Sequence, residues 1–251
     1  MSTYQTSNEK LRVSNIKKTF GSMDIINDVS FYASENEFIS LLGPSGSGKS
    51  TIFNIISGLL LQDSGEIIID GRECHGNIEK VSYMHQKDLL LPWKNIVDNT
   101  TLSLIIKGKS KKEARAEVLT HFKTFGLQGF EYKYPFQLSG GMRQRAALLR
   151  TYMSSSDIML LDEPFGALDA ITRSKMHYWL MDVIKELKAT IIFITHDIEE
   201  AIFLSDRIYV LSDKPATIKK EIIVDLPKNR TADIVTSEKF NEIKRIILQT
   251  L

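Results

Sequence analysis

Apolar residues along the chain follow two rhythms, and the switch between them outlines the fold. Residues 11–19 and 25–32 alternate in part (Leu11, Val13; Val29, Phe31) around Gly21 and Ser22, which predicts a β-hairpin-like start. The short apolar run at 37–42 reads as a strand. It leads to a helix with Ile52, Ile55, Ile56 and Leu59 on one face, ending near Gly58. Residues 66–69 form a strand closed by an Asp70-Gly71 turn, and residues 81–85 form another. The character then becomes helical. Residues 95–107 predict one helix, and Ser110 with Glu113 is a capping box for a second. That second helix carries Ala114, Val118, Phe122 and Phe125 inward and stops at Gly126. From residue 157 strands and helices alternate: a buried strand at 158–161, then a helix at 169–188 with Ile171, Trp179, Leu180, Val183 and Leu187 inward. Strands at 190–195 and 207–211 follow, with a helix at 198–204 between them. An amphipathic helix over roughly 237–251 gathers Phe240, Ile243, Ile246 and Ile247 on one side.

Strands alternating with helices imply a mostly parallel sheet. The expected class is therefore α/β, with an antiparallel β segment at the start and a helical insertion over about residues 88–155. One domain is expected over 9–230, followed by a C-terminal helical tail at 231–251. No internal repeat or low-complexity linker interrupts this plan.

Composition narrows the picture by exclusion. The 251 residues carry a formal net charge of +1, which gives no basis for broad electrostatic binding to nucleic acid. The single cysteine, Cys74, excludes an intrachain disulfide. Its neighbour His75 does not make it a zinc site, because no further ligands stand at suitable spacing. The polar N-terminus MSTYQTSNEK lacks the apolar centre of a signal peptide. No apolar run approaches the roughly 18–20 residues that span a bilayer. A cytosolic protein is expected, with room for a membrane partner.

The chemistry begins at residues 41–51, LLGPSGSGKST, where a strand, a glycine-rich turn and a helix make a phosphate-binding P-loop pattern. Gly43, Gly46 and Gly48 let backbone N–H groups curl toward phosphate oxygens, and Pro44, Ser45, Ser47 and Thr51 complete the loop. Lys49 can reach the β and γ phosphates, and Ser50 can bind Mg²⁺. The strand at 158–161 ends in two carboxylates. Asp162 can hold Mg²⁺ through water, and Glu163 can orient and deprotonate an attacking water. A second anion nest is expected at Ser139, Gly140, Gly141 and Met142, which open a helix. A capping role would account for Ser139 alone. Two glycines in a first turn weaken a helix by about 1 kcal/mol each, and close approach to phosphate accounts for both.

The order of P-loop, Gln86, LSGGM at 138–142, Asp162-Glu163, GALD at 166–169 and His196 resembles the ATP-binding subunits of ABC transporters, over roughly residues 11–212. The stretches LPWKN, LSGGMRQR and DEPFGALDAITR look more narrowly like the ATPases of importers for nitrate, aliphatic sulfonates, taurine and thiamine-pyrimidine precursors. The resemblance implies a P-loop NTPase fold with an ABC ATPase core, using ATP and Mg²⁺. It implies a homodimer whose two ATP molecules lie between the P-loop of one chain and residues 139–142 of the other. Phe20 would stack on adenine, and Gln86 would contact Mg²⁺ and its water. Asp169 would lie at the dimer seam, and His196 would contact the γ-phosphate. Met142 stands where the family more often has glutamine. The implied setting is peripheral, on the cytoplasmic face of the membrane, driving permease subunits supplied by an extracytoplasmic solute-binding protein. Residues 89–93 would face the permease, unless Trp93 is instead buried in the helical insertion.

Rival readings are another importer or exporter class, or an ABC ATPase outside transport. Non-transport relatives carry long coiled-coil insertions or two cassettes, whereas here the segment between P-loop and signature is short. A P-loop kinase or GTPase has no use for LSGGM, and no guanine-reading Asn-Lys-x-Asp occurs.

Overall fold

The computed structural model describes residues 9–74, 76, 79–155 and 157–251; residues 1–8 of the polar N-terminus and His75 lie outside the described residues. The described residues fall into two compact units. One joins the chain up to Glu79 with Ala189–Leu251, and the other is Lys80–Lys188.

The first unit starts with the expected hairpin, β1 (Glu9–Phe20) and β2 (Met23–Ser34), longer than the alternation indicated. β3 (Phe38–Leu42) runs into the glycine-rich loop and α1 (Lys49–Ile56). β4 (Ser64–Ile69) and β5 (Arg72–Glu73) meet at Asp70 and Gly71, whose φ of 50° and 71° suit a two-residue hairpin turn. These strands form an antiparallel sheet in the order β2-β1-β4-β5.

The second unit opens on β6 (Val81–Met84) and becomes helical through α2 (Ile96–Thr100), α3 (Leu102–Ile106), α4 (Lys111–Leu119) and α5 (Gly140–Ser154). β7 (Ile158–Asp162) pairs in parallel with β6, and α6 (Ala170–Glu186) follows. The first unit resumes with β8 (Thr190–Thr195), α7 (Ile198–Leu204), β9 (Arg207–Leu211), β10 (Ile218–Ile223) and α8 (Glu238–Thr250). There β3 lies between β8 and β9, parallel to both, and β10 adds antiparallel to β9. Every residue of β3 and β8 is buried, which is why they read as near-continuous apolar runs, interrupted in β3 only by Ser40, rather than alternating ones.

Several expectations change. The helix predicted over 95–107 is two short helices that meet at Thr101, the first capped by the Asn95 side chain. The capping box at Ser110 and Glu113 is present, yet α4 ends at Leu119. Phe122 and Phe125 are buried from the turns beyond it. Leu59 and Ile171, both placed inward by periodicity, are 67% and 72% exposed. Leu59 lies past the end of α1, and Ile171 occupies the first turn of α6. β10, with Lys219 and Lys220, has no apolar alternation and went unread; charged residues are common on strands that must not pair further. In α8, Phe240, Ile243 and Ile247 are buried and Ile246 is half-buried. Among the described residues no helix is long and apolar enough to cross a membrane.

The antiparallel sheet contains one very close approach. Gly65 has a φ of 91°, and a Cβ there would lie 2.5 Å from the carbonyl oxygens of Ser14 and Asn15. Gly65→Ala is expected to destabilise the protein by about 3 kcal/mol in urea unfolding followed by circular dichroism. A loss below about 1 kcal/mol would show that the β1–β4 ladder yields to the methyl group.

Candidate functional site

In the first unit, parallel pairing places two functional segments at one edge. Leu42 and Thr195 are register partners, so Gly43 and His196 leave neighbouring strands side by side. The loop after Gly43 turns through Gly46 and Gly48, with φ of 81° and 105°. A Cβ on Gly43 would stand 3.1 Å from Leu211 Cβ, so the loop needs glycine there for space. Lys49 is only 5% exposed, and its Nζ donates to the carbonyls of Gly43 and Pro44, each at 2.8 Å. Ser47 is buried, and its Oγ has no hydrogen-bond partner among the described residues. Pro44 is half-buried, Ser45 and Gly46 form the exposed tip, and Ser50 and Thr51 sit in the first turn of α1. A helix start preceded by glycines and carrying a buried lysine is suited to an anion with several oxygens.

His196 is exposed, and the backbone on both sides of it is held. The Asp197 N–H donates to Thr195 Oγ1 (3.0 Å), and the Thr195 hydroxyl donates to the Glu200 carboxylate. The Asp197 carboxylate accepts from the N–H groups of Glu199 (2.9 Å) and Glu200 (3.1 Å), capping α7. Phe20, the last residue of β1, has an exposed ring with Lys18 Nζ 5.6 Å from its centroid.

In the second unit the register Met84↔Leu161 places Gln86 and Glu163 just beyond two neighbouring strand ends. Gln86 Nε2 donates to Glu163 Oε2 at 3.4 Å. Glu163 has a φ of 42°, a left-handed backbone that costs a non-glycine residue about 1–2 kcal/mol. Asp162, the last residue of β7, is buried and accepts from Tyr83 Oη at 3.0 Å. Burial first, and then the Asp162 charge, push the Tyr83 phenol well above its ordinary range, so it remains a donor. Tyr83 escaped the sequence reading; a tyrosine inside the strand leading to Gln86 was the only trace of it.

A cavity of about 630 Å³ brings Gln86, Gly140, Arg143, Gly166 and Leu168 together within this unit. Ser139 is the N-cap of α5 and accepts from the Met142 N–H at 3.3 Å, so its capping role is real. The two glycines also have a packing reason. A Cβ on Gly140 would stand 3.1 Å from Leu168 Cδ2, and one on Gly141 3.4 Å from Thr172 Cγ2. Asp169 caps α6 by accepting from the Thr172 N–H at 3.0 Å, which holds its carboxyl below the usual range. Arg143 donates to Asp88 (3.2 Å), and Arg150 donates to the carbonyls of Leu89 (2.7 Å) and Asp88 (2.6 Å). These bonds pin the loop after Gln86, and Asp88 too had not been singled out. Trp93 on that loop is 71% exposed, so the alternative of a buried Trp93 is discarded.

Among the described residues no cluster of three or more His, Cys, Asp or Glu could hold a metal by itself. The Ser50 hydroxyl in the first unit and the Asp162 carboxylate in the second are each an oxygen donor of the kind Mg²⁺ takes, an ion that binds through few protein ligands together with phosphate oxygens and water.

Comparison with known proteins adds independent findings. Residues 26–166 match the family model described as ABC transporter. The chain is 44% identical over 221 residues to the formylaminopyrimidine import ATP-binding protein ThiZ of Halalkalibacterium halodurans, covering 88% of this chain and 86% of that protein. It is 40% identical over 232 residues to the aliphatic sulfonates import ATP-binding protein SsuB of Bacillus cereus, covering 92% and 90%. Among solved structures it resembles a dimeric ATP-binding cassette in a post-hydrolysis state bound to ADP and Pi. That match has a TM-score of 0.73 and 31% identity, and covers 86% of this chain and all of the other.

The two positive-φ glycines of the loop differ in a way that substitution can read. A Cβ on Gly46 meets nothing within 4 Å, whereas one on Gly48 would stand 3.1 Å from Ile25 Cγ2. Gly46→Ala is expected to weaken binding of a fluorescent ATP analogue by no more than about tenfold, the cost of a left-handed alanine. Gly48→Ala should lose at least about tenfold more. Equal losses would show that backbone strain alone, not the contact with Ile25, sets the requirement.

Proposed function

The chain belongs to the ABC transporter family of ATP-binding proteins, and from that premise we propose that it is the ATP-hydrolysing subunit of an importer for a small solute. The observation that carries the reading is the register that puts the P-loop and His196 at one edge of a parallel sheet. In this reading residues 9–230 form the nucleotide-binding domain, with a helical subdomain over about 88–155 and a tail at 231–251. The N–H groups around Gly46 and Gly48, with the Lys49 ammonium, bind the triphosphate, and Phe20 stacks on the adenine. Glu163, steered by Gln86, takes a proton from the attacking water, and His196 contacts the γ-phosphate. Mg²⁺ would be held by Ser50 and, with water, by Gln86 and Asp162, and would supply positive charge to the phosphate oxygens.

Two copies complete the site, with residues 139–142 and Asp169 of one chain facing the nucleotide of the other. ATP favours this closed pair because it binds it more tightly than the open one. Opening after hydrolysis drives a membrane permease. The exposed Trp93, with Leu91 and Pro92 beside it, forms the contact on the cytoplasmic face. A cluster of exposed apolar groups on a pinned loop supports that role. The solute is of the nitrate, sulfonate, taurine or thiamine-precursor type. It is delivered by an extracytoplasmic binding protein that this subunit does not touch.

Glu163→Gln removes the basic carboxylate while keeping its size. Hydrolysis should fall by about 10²–10⁴-fold, and with Mg-ATP the variant should elute as a dimer in gel filtration. Adding Ser139→Arg should abolish that dimer although the P-loop is untouched. A persistent dimer would mean that the nucleotide site is complete within one chain. Trp93→Ser should leave the ATPase of the isolated subunit unchanged and lower transport by the complex reconstituted in vesicles. Unchanged transport would remove this loop from the permease contact.

A further inference from the structure

α7 has seven residues, too few to be stable alone in water, and His196 comes immediately before its N-cap, Asp197. The start of α7 is held by the Asp197 and Thr195 hydrogen bonds described above. Its end has the usual difficulty that the last carbonyls of a helix lack partners within the helix. Arg230, 27 and 28 residues further along the chain, fills that role. Its Nη1 donates to the carbonyls of Ile202 (2.9 Å) and Phe203 (2.8 Å), and its Nε donates to the Pro227 carbonyl (3.2 Å). The side chain is 6% exposed. Burial pulls its pKa down and Asp206 opposes this, but a guanidinium stays charged and meets the negative end of the helix dipole. α8 also packs on α7, and Lys244 Nζ donates to the Glu199 carboxylate at 2.6 Å.

We propose that Arg230, which with α8 holds α7, is a positioning residue for ATP hydrolysis: it fixes α7 and thereby sets where His196 meets the γ-phosphate. The inference rests on the reading of His196 as a γ-phosphate contact. It gives the C-terminal segment a task in turnover, separate from ATP binding at the P-loop. The chain of contacts is continuous within one unit, from α8 and Arg230 to α7, Asp197 and His196.

The test uses the full-length protein, with steady-state and single-turnover ATPase assays. Arg230→Ala should lower kcat on the order of 10- to 100-fold, the usual consequence of a misplaced catalytic group, while KM for ATP stays within about twofold. Arg230→Lys, which offers a point charge instead of a fork, should fall between wild type and Arg230→Ala. In a His196→Ala background, Arg230→Ala should cause no further loss in the single-turnover rate, because both changes act through one group. An additive loss in that background would overturn the proposal, as would a raised KM with kcat intact. Failure of both Arg230 variants to fold would also overturn it, leaving Arg230 a purely structural residue. If His196→Ala alone leaves turnover unchanged, the reading of His196 fails. If His196→Ala abolishes turnover and Arg230→Ala does not slow it, only the present inference fails.

Discussion

The P-loop, Glu163 and His196 hang from strands that are buried along their length. β3, β7 and β8 expose no residue, so their backbone groups must be satisfied by neighbouring strands and their side chains by packing on both faces. Parallel pairing then has a geometric consequence: neighbouring strands end at the same edge, and whatever follows them is delivered there together. In the first unit this delivers the P-loop and His196, and in the second it delivers Gln86 and Glu163. Apart from Asp162 at the end of β7, the candidate site residues at these edges lie beyond the strands that position them.

Around those anchors, local chemistry adjusts each group separately. Lys49 is kept beside the loop by two carbonyls, so its charge is buried without being unsatisfied. Glu163 is held by a left-handed backbone and by Gln86, a strained arrangement of the kind that a well-packed strand end can sustain. Asp162 faces a phenol that burial keeps protonated. Two adjacent carboxylates thus have different surroundings: Asp162 is buried against the Tyr83 phenol, while Glu163 is nearer solvent beside the exposed Gln86 amide.

Much of this was legible in the chain. Motifs built from consecutive residues, such as the P-loop, the capping box at Ser110 and the Asp70-Gly71 turn, declare themselves because their geometry is local. Contacts between distant residues do not. Nothing near Tyr83 points to Asp162, and nothing near Arg230 points to the end of α7. Periodicity failed where a helix stopped earlier than its apolar pattern: Leu59, past the end of α1, is left exposed, whereas Phe122 and Phe125, past Leu119, are buried because tertiary packing can bury a side chain from a turn as well as from a helix. β10 was invisible for the opposite reason, since a charged strand at a sheet edge has little to distinguish it from a loop. The pair Gly140 and Gly141 was read for phosphate alone, although Leu168 and Thr172 also crowd them.

The pairing of β3 also sets a timetable. Its hydrogen-bonded neighbours are β8 and β9, and Phe38 meets Ile191, a partner about 150 residues downstream. Most of the residues in between, Lys80–Lys188, form a compact unit from one continuous stretch of chain and can collapse as they are made. β3 must wait. Closing so long a loop adds only slowly to the entropic cost, but it cannot occur before the later strands exist. On a ribosome, the phosphate-binding loop is therefore written early and shaped late: its sequence emerges within the first fifth of the chain, while the strands that hold it in place arrive in the last quarter. A nascent chain arrested anywhere between residues 51 and 190 carries the whole P-loop motif with neither neighbouring strand of β3 in place.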